Sequence, residues 1–542
     1  MIQNRSIPSM VEELAFYLSK YQLNNALITI GKVGSLISSS DLTPITSISE
    51  DSEERPLYMG PGALAYLALR LIENADDSNE ERFSHTDLER AIAMYGGLPE
   101  YASPEHRGLV SILRFHNAQF VFEHPLGYIL ARTLILYRDL WHLHPEISEL
   151  DIDSAIAEIS GGLTLEEVLI LGMHFWKHTE GNEGYIRFTP YWLNASFRIL
   201  PFIRRDGTII EPEKVSSFLQ WIAADYSTIR DIAKNQLKDL AHPDLEKYRF
   251  NPLVTYPIII PYRNPAGQLP LTFIAPLPHL IIYRVTLGLF FNLLEYFRKH
   301  NKGKFGKAFG KLWEEYVLLL LKHAAFQGTL EGERVYAGGS IKRPDAIVKE
   351  NDTVVLIEDK ASAIYSEAKK FGDPEMTKQN LKDTIAHAVE QLWSFEKDAD
   401  SGIYPELLDI RSTPKRKRLI VIYDDISFAN SFLRDLTVEA LKEKDDGRKN
   451  KGEPALDIPI DFEFHVISIT ELENLCAIEG LSLYRLLEEK AGSSVSMEEE
   501  FSNYLSNRYP GIRNTFLDSV LEEFEAPLIQ IVETLRRSGK ID

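Results

Sequence analysis

The sequence predicts a multidomain α plus α/β protein, with a mainly helical N-terminal region followed by a C-terminal α/β domain. Three observations carry that expectation. At 542 residues the chain is too long for one ordinary core. Up to about residue 250 its apolar residues recur mostly at helical spacing. Beyond about 302 the pattern becomes helix, three short strands, helix, strand, helix, which is the order of an α/β unit with a crossover connection. The expected organisation is a helical region over 1–250, a β-hairpin and helix connecting 251–301, the α/β domain over 302–470, and a helical segment over 471–542.

Each element has its own signal. Val11, Leu14, Ala15 and Leu18 form one apolar face of an opening helical stretch, and the polar segment 38–56 reads as a loop. Helices follow at 64–73, 85–95, 129–141 and 165–178, the last preceded by the capping pair Thr164 and Glu167. Two apolar runs, 255–261 and 269–275, flank Arg263-Asn264-Pro265-Ala266-Gly267 and predict a hairpin. Helices are expected at 279–300 and 305–326, then strands at 330–337, 345–350 and 353–360. A helix at 380–398, a strand at 418–424, a helix at 428–443, a charged loop at 442–453 and a strand at 461–468 complete the unit.

Composition narrows the class. Hydrophobic residues at 44% and charged residues at 26% describe a folded chain. The single cysteine, Cys476, excludes an internal disulfide framework and a cysteine-rich zinc site. No signal-peptide pattern opens the chain, and the apolar stretch 273–297 is interrupted by prolines and charges. A buried helix, no membrane partner and a cytoplasmic location are therefore expected. A net charge of −21 argues against nucleic-acid binding over the whole surface. Basic residues are nonetheless concentrated locally: Arg298, Lys299, Lys302, Lys304, Lys307 and Lys311 occur without an intervening acid, Lys342-Arg343 precede a proline, and Lys415 to Arg418 are all basic.

The chemistry centres on Arg343-Pro344-Asp345 and, thirteen residues after the aspartate, Glu358-Asp359-Lys360. The acids adjoin the β-branched runs Ala346-Ile347-Val348 and Thr353-Val354-Val355-Leu356-Ile357, so two paired strands would bring them together. Cleaving a phosphodiester requires charge stabilisation and a deprotonated water, which Mg²⁺ (or Mn²⁺) held by carboxylates supplies. Asp345 and Glu358 are candidate metal ligands, with the backbone carbonyl of Asp359 as a further oxygen. Lys360 shares the face of Glu358 by strand alternation and can orient water. Asp359 points to the other face, as a structural or solvent-exposed residue.

These residues resemble the PD-(D/E)XK, or restriction-endonuclease-like, nuclease superfamily over about 302–470. The segment Gly310 to Val317, with Trp313, Glu314, Glu315 and Tyr316, resembles that family's first helix, and Gln391-Leu392 falls where members carry a glutamine near the site. The resemblance implies a metal-dependent nuclease preferring DNA over RNA, with a role in bacterial antiviral defence. It implies Asp345, Glu358 and Glu314 as metal-binding residues, Glu315 being the rival of Glu314, with Lys360 and Gln391 completing the catalytic set. Lys304, Lys307, Lys311, Lys342 and Arg343 would contact nucleic acid. The helical region is expected to meet a protein partner or a second copy. The alternatives are a non-catalytic nucleic-acid-binding or assembly protein, or an RNase on the same scaffold.

Other motifs read more simply. His174 and His178 have helical metal-ligand spacing, but Phe175-Trp176-Lys177 lacks a metalloprotease glutamate, so they and His142 and His144 are read as core or surface histidines. Gly303, Gly306 and Gly310 are each followed by a lysine, but no Walker-type glycine–lysine–Ser/Thr loop follows a strand there, and the aromatics Phe188, Tyr191, Trp192 and Phe197 read as core.

Overall fold

The computed structural model describes residues 7–39, 61–98, 125–143, 150–182, 184–187, 202–240, 246–247, 249–261, 272–300, 304–332, 334–336, 341–361, 373–423, 430–459, 462–492 and 501–538. The polar segment 38–56, the 263–267 turn, His144 and the aromatics Phe188 to Phe197 lie largely or wholly outside these residues.

The N-terminal region is helical, as the spacing predicts over Ile7–Leu18, Leu23–Ser39, Pro61–Asn74, His85–Gly97 and Leu165–Gly181, with a further helix, Ile152–Ser160, that was not anticipated. The Thr164–Glu167 capping box forms, Glu167 N–H donating to Thr164 Oγ1 while Thr164 N–H donates to Glu167 Oε2. The helix Leu126–Leu134 runs on through a wider π-type turn over Ile135–Leu140. A four-stranded sheet, unanticipated apart from its hairpin, threads this region: β1 (Tyr185–Arg187), β2 (Ala223–Asp225), β3 (Ile258–Ile260) and β4 (Thr272–Ile274), in the order β1-β4-β3-β2.

The predicted strands of the C-terminal part form a five-stranded mixed sheet of β5 (Thr329–Gly332), β8 (Ala346–Glu350), β9 (Thr353–Lys360), β10 (Lys415–Ile422) and β11 (His465–Ser468). Between β5 and β8 lies a small hairpin of β6 (Val335–Tyr336) and β7 (Ile341–Lys342). β5, β8 and β9 are antiparallel neighbours, and β9, β10 and β11 run parallel. The β8–β9 turn places Asn351 at φ 51°, a left-handed conformation that asparagine tolerates. Helix Phe305–His323 precedes the sheet, and Pro374–Leu381, a π-type turn and His387–Ser401 form the crossover between β9 and β10.

Alternation along the strands buries both faces of this sheet. Ala346, Val348, Val355, Ile357, Leu419, Val421 and Ile467 join one apolar cluster with helix Phe305–His323 and the N-terminal helices. Ile347, Val354, Leu356, Ile420, Ile422 and Val466 join a second cluster with the crossover helix and the following segment. The first cluster runs from Val11 to Phe524, so the apolar core continues without interruption past residues 250 and 302. Among the described residues one stretch, His279–Lys299, has the length and apolarity of a membrane span, yet 72% of that window is buried in the fold. It is interrupted at Thr286 and serves as core.

Candidate active site

The register brings the acidic motifs together. β8 and β9 pair Ala346 with Ile357, so Asp345, one step beyond, lies opposite Glu358. Asp345 occupies the bend that enters β8, and its Oδ2 accepts the Asp359 N–H at 2.8 Å. Lys360 Nζ donates to Glu358 Oε1 at 2.6 Å, which alternation along β9 allows because both side chains share a face. Tyr423 N–H donates to the Lys360 carbonyl at 3.2 Å, holding the end of β9 against the end of β10.

Asp359 departs from expectation. Of the two expected roles, structural or solvent-exposed, the second is overturned: the side chain is 7% exposed, and its Oδ2 has no hydrogen-bond partner among the described residues. Burial first, then the charges of Asp345 and Glu314, push its carboxyl well above the usual carboxylate range; Lys360 pulls it back, and Glu358 adds to the rise. By alternation the side chain stands on the sheet face of Val355 and Ile357, the one covered by helix Phe305–His323. Glu314, on that helix, is among the charges that raise the Asp359 carboxyl. Glu314 Oε2 also accepts from Lys311 Nζ at 2.8 Å, one turn earlier.

The opposite face carries the other half of the constellation. Gln391 stands on His387–Ser401, the helix covering the face of Glu358 and Lys360, and its Oε1 is buried with no partner among the described residues. One turn before it lies His387, a residue that sequence reasoning missed. Desolvation, then the charges of Lys360 and Lys444, lower its pKa, and Glu390, 3.9 Å from its Nδ1, pulls it back. No spacing signal in the sequence marks His387, because Lys360 lies across a crossover connection.

The expected nucleic-acid contacts divide. Lys304 and Lys307 are exposed at the start of their helix, whereas Lys311 is engaged with Glu314. The Lys342 side chain lies outside the described structure. Arg343 corrects the expectation: it is 7% exposed and drawn into ion pairs with Glu331 at 3.0 Å and Asp409 at 3.0 Å, so its charge is spent inside the fold. The basic run at β10 is neutralised likewise. Lys415 meets Asp352, Arg416 meets Asp400, Lys417 meets Glu463 and Arg418 meets Glu396.

His142 is exposed, whereas His174 and His178 pack half-buried against aromatic neighbours. The His174 ring is packed 4.4 Å from Phe202 and 4.3 Å from His178, and burial lowers its pKa to about 3. Among the described residues no three acidic, histidine or cysteine side chains are gathered around one point as a ready-made ligand set. The donors at the end of β9 are nevertheless all carboxylate oxygens, the type that hard divalent cations take, and one is buried without a partner. No family model matches the chain, and neither a curated protein nor a solved structure matches it.

Proposed function

We propose that the chain is a Mg²⁺- or Mn²⁺-dependent nuclease of the PD-(D/E)XK type, acting on DNA in preference to RNA from the cytoplasm in a defence role. One observation carries the reading: the β8–β9 register sets Asp345 opposite Glu358, which holds Lys360, while on the other face of β9 the Asp359 carboxyl is buried with its Oδ2 unpartnered among the described residues. Such an excess of negative charge is relieved either by a proton or by a cation, and the donor set suits a hard cation. The element order supports the same reading, since a helix, an antiparallel trio, a crossover helix and a parallel fourth strand are what the resemblance implies.

Asp345, Asp359 and Glu314, together with Glu358, would hold the metal, which when bound supplies an acidified water and neutralises the phosphoryl oxygens. The chain's own residues do the rest. Lys360, held by Glu358, places an ammonium where charge develops, and Gln391 offers an amide on the same face. Lys304 and Lys307, exposed at the start of the helix that bears Glu314, would contact phosphates some turns away along the nucleic-acid backbone. The test is cleavage of supercoiled DNA, single-stranded DNA and RNA by wild type, Asp345→Ala and Lys360→Ala, with Mg²⁺, Mn²⁺ or EDTA. Metal-dependent cutting by wild type alone is the expected result.

A second reading is a non-catalytic nucleic-acid-binding or assembly module on the same scaffold; the internal pairing of Arg343 and of the β10 basic run leaves fewer cations for nucleic acid and favours its assembly form. It is distinguished by self-association or nucleic-acid binding without metal-dependent cleavage.

A further inference from the structure

A second buried acid lies behind the site, and its surroundings differ entirely from those of Asp359. Arg132, from helix Leu126–Leu134 of the N-terminal region, is 2% exposed, and Glu473, from helix Ile469–Cys476, is 0% exposed. Arg132 donates to both carboxylate oxygens, Nε to Oε1 at 2.8 Å and Nη2 to Oε2 at 2.8 Å, and Nη2 also reaches Thr470 Oγ1 at 3.2 Å. The Tyr316 hydroxyl completes the set, donating to Glu473 Oε1 at 2.6 Å. Tyr316 is fully buried on the helix that carries Glu314, two residues further on.

Buried ion pairs are poor sources of stability, since apolar side chains of similar volume often serve as well. What a bidentate pair does supply is a fixed direction, because the guanidinium fork and the carboxylate meet in one plane. We propose that Arg132, Glu473 and Tyr316 form a positioning clamp that sets the roll of helix Phe305–His323 and thereby presents Glu314 to Asp359. This rests on the nuclease reading above and makes the N-terminal region an integral part of the metal site. The lever is short: a roll of about 20° displaces a group ~6 Å from the helix axis by about 2 Å, whereas a site of this kind works within roughly 0.5 Å. The aromatic contacts between Trp313 and Tyr423, 5.2 Å apart, and the Tyr423–Lys360 backbone bond tie the same helix to the end of β9.

The test separates position from stability by calorimetric titration of Mn²⁺ into the full chain. In the triple variant R132M/Y316F/E473L apolar groups replace every member, so no charge is left buried alone. Its melting temperature is expected to stay near that of wild type while its Mn²⁺ dissociation constant rises about tenfold or more, as for other residues that orient metal ligands. The milder Tyr316→Phe, which deletes one hydroxyl from a folded chain, is expected to raise the constant at least about threefold. Wild-type Mn²⁺ affinity in Tyr316→Phe and in a folded triple variant overturns the clamp and leaves the nuclease reading standing. A wild-type chain that binds no Mn²⁺ overturns both.

Discussion

Glu473 and Asp359 are both buried carboxylates, about as inaccessible as each other, yet they are served in opposite ways. Glu473 receives two bonds from Arg132 and one from Tyr316. Asp359 is surrounded by Asp345, Glu314 and Glu358 with Lys360 as counterweight, and one of its oxygens has no partner among the described residues. A buried acid with its partners in place fixes geometry, whereas one crowded by like charge calls for something the chain itself does not provide.

The largest effects are expected where the satisfied acid is broken. Arg132→Ala strands Glu473 in the core and should cost about 3–5 kcal/mol in denaturant unfolding, while the triple apolar replacement should cost far less. Equal losses in the two variants would show that the ion pair stabilises in its own right. At the other acid, Lys360→Ala should reduce metal-dependent cleavage by ~10²-fold or more with little change in unfolding. A change in stability without a change in rate would assign the Lys360–Glu358 pair to the fold.

A third carboxylate sharpens the comparison. Glu350, 6% exposed, accepts the Leu483 N–H at 2.7 Å and the Ser482 hydroxyl, and so caps helix Leu483–Ala491. Glu350→Ala should cost about 1–3 kcal/mol and leave cleavage by the remaining folded protein unchanged.

The smallest effect is a pH slope. The folded-state pKa of Asp359 lies above its unfolded value, so the folded chain binds the proton more tightly. Its contribution is fully present below the unfolded carboxylate value, near ~4, and declines as the pH rises toward the folded one. Without metal, stability should therefore fall by up to about 1.4 kcal/mol per pH unit across that window from this group. Asp359→Asn should remove that component, and an unchanged slope would show that the carboxyl ionises freely.

Much of the fold was legible because it depends on local patterns. The β-branched runs ending at Asp345 and Glu358 marked β8 and β9, and the 164–167 capping pair marked its helix. What was hidden depends on partners distant in sequence. β10 begins at Lys415 and not at 418, because four basic side chains that read as a loop each find an acid across the fold. The helix Asn430–Asn450 continues through 442–450, where a loop was expected, with Lys444 and Arg448 meeting Glu390. Strands of three residues, as in β1 to β4, are too short to show a period.

The sidedness of the motif was legible: alternation put Glu358 and Lys360 on one face of β9 and Asp359 on the other. Asp345, Glu358, Lys360 and Glu314 were candidates from motif and order, with Glu315 the rival of Glu314. The burial of Asp359 depends on a helix packed over the strand end, and alternation alone could not reveal it. Arg132 and Glu473 are 341 positions apart. Their one sequence signal is a lone cation in Leu126–Leu134 and an acid in the apolar Ile469–Cys476, each requiring a buried partner.

The measurement that bears most directly on the cation reading is thermal unfolding of wild type and Asp359→Asn at neutral pH, with Mn²⁺ titrated against EDTA. The expected result is a melting temperature that climbs with Mn²⁺ in wild type, by ligand linkage, and stays flat in Asp359→Asn. A wild-type chain indifferent to metal, with the variant simply more stable, would mean that the acidic cluster holds a proton and no cation.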